Sequence, residues 1–349
     1  MKPADIIRHR LAGQQITATT FQTPAEVVQC LVAMQAQEFA MAKWAIGLRL
    51  PGTTDSVVEK AFNDGAILRT HLMRPTWHFV VPADIRWLLA LTAPRVHAAN
   101  AFMYRKTELT TALFRRSNDA LIHALEGGKQ LTRAGLQAAL QRKKIMADGF
   151  RLAYLLMYAE LEGILCSGPR QGKQFTYALL DERVPAAKNQ SRDESLAAFT
   201  RRYFASRGPA TLQDFTYWSG LTVKDVKTGA ALLPGSFERF TLAGQEYFFL
   251  PASERQGPRS TFLLPDYDEY GMSYKDRSIL YQPGMAAGKG RSNPVFSHLV
   301  VTDGRMAGTW QRTVKRNVVT VETASFSPLT KTKQQALQKA VGRYISFWQ

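Results

Sequence analysis

Leu131-Thr132-Arg133-Ala134-Gly135-Leu136-Gln137-Ala138-Ala139-Leu140 is the stretch that decides the fold. A threonine placed to cap a helix is followed by apolar residues at helical spacing through Leu140. A basic connector, 141–146, leads to a second amphipathic stretch, 151–163. There Leu152, Leu155, Leu156, Ala159 and Leu161 form the apolar face, and Gly163 stands where a helix would end. Ile164-Leu165-Cys166, a Gly/Pro-rich basic turn at 167–173 and a strand pattern at 174–180 follow. Helix, turn, helix and a basic two-stranded hairpin is the order of a winged helix.

Weaker copies of this order lie on both sides. Upstream, 24–36, 39–48 and 55–63 read as helices and 67–81 as a hairpin. Downstream, 212–219 and 222–231 read as helices and 237–250 as strand, turn and strand. The spacing is irregular, so these are not repeats of fixed period. The last third changes to short strand patterns at 262–264, 295–301, 306–312 and 317–322, closed by a helix at 331–348. The expected fold class is α+β. It comprises three tandem winged-helix modules (1–98, 99–185 and 186–258) and a C-terminal β-barrel-like domain with a closing helix (259–349). The polar stretch 185–193 reads as a linker.

The 349 residues are 45% hydrophobic and 21% charged, which excludes a disordered or fibrous chain. A net charge of +17 attracts polyanions: nucleic acid, an anionic membrane surface or acidic small molecules. The excess is concentrated, with net charges of +6 in 99–151 and +9 in 271–349. No apolar run is long enough to span a membrane, and the N-terminus lacks the apolar core of a signal peptide. Cys30 and Cys166 sit far apart in apolar stretches and read as buried thiols of a reducing cytoplasm, without disulfide or zinc. There is no Gly-rich phosphate loop, Gly-x-Ser-x-Gly elbow, His-Glu-x-x-His or Cys-x-x-Cys, so neither cofactor nor metal is expected.

Three polar groups stand out. Gln35-Ala36-Gln37, followed by Glu38, ends an apolar run. On an ideal helix residues two apart point roughly 200° from each other, so both glutamines reach one site only if the helix ends or distorts there. Arg69-Thr70-His71-Leu72-Met73-Arg74-Pro75-Thr76-Trp77-His78, in the first hairpin, combines cations with a bulky ring and suits phosphate contact and insertion between bases. Asp266-Tyr267-Asp268-Glu269-Tyr270 is the densest acidic site. It reads either as the seat of a general base or cation, or as a salt-bridged junction between modules.

The Gln-x-Gln near residue 35, the hairpin with its Arg-x-Thr-x-His, Leu-Leu-Pro-x-Tyr-Asp-Glu-Tyr at 263–270 and Tyr274-x-Asp276-Arg277 together resemble the AlkZ-type (YcaQ-like) winged-helix DNA glycosylases. The likeness spans about residues 5–347. It implies three winged helices in a C-shape plus a C-terminal β-domain, matching the architecture read above. It also implies excision of N7-alkylated purines, and some members unhook interstrand crosslinks. By that resemblance Gln35 and Gln37 are the catalytic pair, and the hairpin that enters the DNA groove carries Arg69, His71, Arg74, Thr76 and His78. Arg170, Lys173, Arg312, Lys315 and Arg316 are further expected DNA contacts, and Glu38, Asp266 and Asp268 are candidates for electrostatic support. The expected reaction is water attack on the anomeric carbon by a monofunctional glycosylase. It needs no cofactor, and the enzyme would act as a monomer on double-stranded DNA, in the cytoplasm at the nucleoid. Two other readings remain at this stage. One is a non-enzymatic winged-helix transcriptional regulator using 151–163 as its recognition helix; the other is a protein-interaction scaffold.

Overall fold

The computed structural model describes residues 1–186, 190–251, 261–282, 298–316 and 318–349. In chain order the helices are α1 (Pro3–Gly13), α2 (Pro24–Leu31), α3 (Phe39–Arg49), α4 (Asp55–Asn63), α5 (Pro82–Lys106), α6 (Thr111–Leu125), α7 (Arg133–Arg142), α8 (Gly149–Leu161), α9 (Leu180–Arg183), α10 (Arg192–Arg207), α11 (Leu212–Ser219), α12 (Val223–Ala231), α13 (Glu269–Met272) and α14 (Lys331–Phe347). The strands are β1 (Met34–Gln35), β2 (Leu68–Met73), β3 (Thr76–Val80), β4 (Leu131–Thr132), β5 (Leu165–Ser167), β6 (Thr176–Leu179), β7 (Glu238–Leu242), β8 (Gln245–Phe249), β9 (Thr261–Leu264), β10 (Leu299–Thr302), β11 (Arg305–Lys315) and β12 (Val318–Ser325). The chain is mixed α and β, and it gathers into two compact units.

The unit of 60–195 and 219–221 contains the deciding stretch. Thr132 accepts a hydrogen bond from the Gly135 amide and caps α7, as its position predicts. Gly163, at φ +69°, ends α8: its amide donates to Glu160 O and the Ile164 amide to Ala159 O, satisfying two carbonyls the helix leaves over. Antiparallel β5–β6 then form, and β4 joins the free side of β6 to give the order β4-β6-β5. Leu121, Leu125, Leu136, Leu140, Leu155 and Leu165 fill the core beneath. The hairpin β2–β3 precedes this segment, with a register irregularity between His71 and Met73. Helix α5 runs unbroken through residues 98 and 99, where the sequence reading set a module boundary, and carries Pro94 within it.

The other unit comprises 1–59, 196–218 and 222–349. Its sheet has the order β12-β11-β10-β9, all antiparallel. The expected barrel is thus corrected: among the described residues the sheet is open, with β9 at one edge and β12 at the other. The closing helix is where the sequence placed it. Trp44 of α3 lies edge-on to Tyr344 and Phe347 of α14, and Trp310 of β11 packs on Tyr344. Both indoles are satisfied in the core, Trp44 donating to Leu263 O and Trp310 to Leu264 O, each at 2.8 Å. A second aromatic core holds Phe199, Tyr203 and Phe204 of α10 with Phe215 and Trp218 of α11. Part of the expected strand 295–301 and of the expected linker lies outside the described residues. Cys166 is buried as expected, whereas Cys30 is only half-buried; both are free thiols. Among the described residues no helix is long and apolar enough to cross a membrane.

Candidate functional site

The helix expected over 24–36 ends early, since α2 stops at Leu31. Val32 takes φ 64°, ψ −55°, and the Ala33 amide donates back to Leu31 O at 2.7 Å. This is the strained γ-turn of positive φ, costly for a β-branched residue and sustained only where the surroundings impose it. The chain emerges as β1, so Gln35 and Gln37 follow a non-helical backbone and are freed from the helical separation that would keep them apart. Gln35 is buried, Ala36 fully so, Gln37 half-buried and Glu38 exposed at the N-cap of α3.

What imposes the turn comes from far along the chain. The Gln35 amide donates to Glu269 Oε1 at 2.9 Å, and Ala33 O accepts from Arg207 Nη2 at 3.0 Å. The second Glu269 oxygen accepts from Arg207 Nη2, Trp218 Nε1 and Ser273 Oγ, at 2.8, 2.8 and 2.9 Å. Burial pushes the Glu269 carboxyl up, but Arg207 and the other donors outweigh it and hold the group below the usual carboxylate range. Next to it, Asp268 receives both terminal nitrogens of Arg49 at 2.8 Å; Arg49 is itself buried and bonded to Gln14 O and Ala45 O. The acidic cluster therefore divides: Asp268 and Glu269 form buried ion pairs within one unit, while Asp266 stands apart.

Asp266 is half-buried, with Oδ2 3.4 Å from His298 Nε2. Tyr267, beside it, takes φ +59°. Burial raises the Asp266 carboxyl; a charged His298 would lower it again and the charge of Glu38 raises it further. His298 was missed in the sequence, where one histidine in an apolar strand pattern gives no signal of its partner. Burial lowers its imidazole, and its ring stacks 4.5 Å from Trp310.

In the other unit, three residues expected on DNA are engaged inside the protein. All of β2 is buried. The Arg69 guanidinium lies 4.2 Å above the Trp77 ring and 4.7 Å above Phe175. His71 Nδ1 meets Glu160 at 2.5 Å, and buried His78 turns Nδ1 to Thr76 O at 3.0 Å. The exposed part of the hairpin is its turn, where Arg74 has φ 53°, Pro75 is exposed and Thr76 donates its hydroxyl to Met73 O. Arg170 folds back on Lys173 O and the Phe175 ring, and Lys173 is exposed.

The ribbon β11–β12 is paired from Gly308 with Ser325 to Lys315 with Val318. Arg312 is anchored to the Tyr344 hydroxyl and lies over Trp348, while Lys315 and Arg316 are exposed at the end beside the exposed Val314 and Val318. If these two cations meet phosphates, replacing both by alanine should flatten the dependence of log affinity on log salt by about 0.9 per lost contact. A titration of duplex binding against salt reads this directly; an unchanged slope removes them from the interface.

Among the described residues no cluster of His, Cys, Asp and Glu could hold a metal. The family model described as DNA glycosylase AlkZ-like matches residues 28–347. The chain belongs to the AlkZ-like family. One AlkZ-like relative, the interstrand DNA cross-link repair glycosylase of Streptomyces sahachiroi, is 26% identical over 333 residues, 89% of this chain and 88% of that one. The solved structure of the Streptomyces sahachiroi DNA glycosylase AlkZ shares the fold with a TM-score of 0.81 at 20% identity, over 100% of this chain and 97% of that chain.

Proposed function

We propose that this AlkZ-like protein is a monofunctional DNA glycosylase that excises N7-alkylguanine-type bases from double-stranded DNA and accepts interstrand crosslinks. The observation that carries the reading is the non-helical Gln35-Ala36-Gln37 segment, clamped by Arg207 and Glu269, in a chain of this family. An N7-alkylated purine already bears positive charge, so it leaves without a general acid. What remains is to place a water against the anomeric carbon and to stabilise the sugar as it becomes oxocarbenium-like. An amide both accepts and donates hydrogen bonds, so Gln37 holds the water and Gln35 supports it. Glu38 and Asp266 supply negative charge near the sugar; Asp268, neutralised by Arg49, acts through the frame. The turn Arg74-Pro75-Thr76, Lys173 and the ribbon end Lys315-Arg316 take the phosphates, with Arg69, His71, His78, Arg170 and Arg312 shaping the surfaces that present them. The three winged-helix modules and the C-terminal β-domain carry these groups, and the enzyme works as a monomer at the nucleoid, with no cofactor.

Purified protein incubated with duplex DNA containing 7-methylguanine should generate abasic sites, read as strand breaks after mild alkali. Binding that protects one sequence irrespective of damage, with no abasic sites formed, would replace this reading by that of a regulator.

A further inference from the structure

Hydrolysis of an N-glycosidic bond leaves a proton that the two glutamines are unable to take. When the bond from the anomeric carbon to N9 breaks, its electron pair moves into the base and cancels the positive charge of the alkylated ring. The water oxygen bonds to the anomeric carbon, and one water proton must go elsewhere. An amide oxygen accepts a hydrogen bond but does not hold a proton near neutral pH, so the chemistry calls for a base that the Gln-x-Gln motif lacks.

We propose that Asp266, backed by His298, takes that proton; this rests on the glycosylase reading above. Asp266 lies on the segment that leads into α13, whose first residue, Glu269, accepts the Gln35 amide at 2.9 Å. Glu38, directly after Gln37, is near enough for its charge to act on Asp266. Of the three acids at 266–269, Asp268 and Glu269 are neutralised by buried arginines, and only Asp266 keeps an oxygen, the buried Oδ1, without a hydrogen-bond partner among the described residues. His298 Nε2 lies 3.4 Å from the other oxygen, and its side chain is about one quarter exposed, which opens a route for the proton to solvent. The carboxylate accepts the proton and becomes a neutral acid; the imidazole relays it outward and restores the carboxylate. The charged groups that set the balance are Glu38 from the N-cap of α3, facing Asp266, and Arg312 from β11, facing His298. Burial and Glu38 raise the acid and so bring it toward the pH range in which a base is effective.

The test is single-turnover formation of abasic sites from a duplex with one 7-methylguanine, followed across pH for the wild type, Asp266→Asn, His298→Gln, Glu38→Gln and Gln37→Ala. Asp266→Asn should lower the rate at neutral pH about 100-fold and abolish the fall in rate toward acid. Its duplex affinity and melting temperature should stay at the wild-type values. His298→Gln should move the acid fall to higher pH, because the imidazolium that favours the carboxylate is gone; Glu38→Gln should move it to lower pH. Should Asp266→Asn fail to fold, those two opposite shifts decide, and their absence overturns the proposal. A wild-type rate and profile in Asp266→Asn overturns it while Gln37→Ala still reports on the glycosylase reading. A wild type that forms no abasic sites overturns both.

Discussion

Glu269→Gln is expected to destabilise the protein by about 3–5 kcal/mol, the cost of breaking a buried ion pair from one side. The substitution keeps the shape and removes the charge, leaving the buried Arg207 uncompensated. It also fails geometrically. All four groups bonded to Glu269 are donors: the Gln35 amide on one oxygen, and Arg207, Trp218 and Ser273 on the other. A glutamine offers one acceptor end, so its NH2 must face donors whichever way it turns. Urea unfolding monitored by tryptophan fluorescence should show the loss, and an unchanged midpoint would remove the clamp from the stability argument. Because the native Glu269 carboxyl is held below its ordinary range, the stability it contributes is complete above the unfolded carboxylate range. It is lost as pH falls through the lower native value.

Gln37→Ala should leave both stability and duplex affinity near wild type while lowering the single-turnover rate about 100–1000-fold, the usual cost of removing one group that acts on the transition state. Gln37 is half-buried and uncharged, so no ion pair and no phosphate attraction is lost with it. Gln35→Ala should cost less in rate, since the proposed mechanism gives Gln35 only a supporting part and its backbone amide, the atom gripped by Glu269, is retained. A Gln37→Ala protein as fast as wild type would remove the motif from the chemistry.

Much of the frame was legible because its signals are local. Thr132 capping α7 and Gly163 closing α8 do in the structure what their positions in the sequence announce. The end of α2 was not legible. Val32, Ala33 and Met34 carry the apolar run past the helix end as far as Gln35, and the hydrogen bonds that hold the chain beyond Val32 come from residues 207 and 269. The hairpin misleads for a related reason. Arg69 and His71 look like phosphate ligands in isolation, but β2 is buried throughout, and Trp77, Phe175 and Glu160 engage them. Within the acidic cluster, three carboxylates that look alike in sequence have different surroundings, since Arg49, Arg207 and His298 each lie far away in the chain. The open sheet follows from long-range pairing as well, because short Gly- and Pro-broken strands specify no closure by themselves.

The clamp on Gln35 closes over 234 residues of sequence. During synthesis both glutamines leave the ribosome early, yet the backbone that presents them has nothing to hold it until Arg207 and then Glu269 have emerged. The basic second quarter is thus complete in the nascent chain well before the Gln35 segment can take its native backbone, and that segment is fixed only after the last contributor, Glu269, has been made.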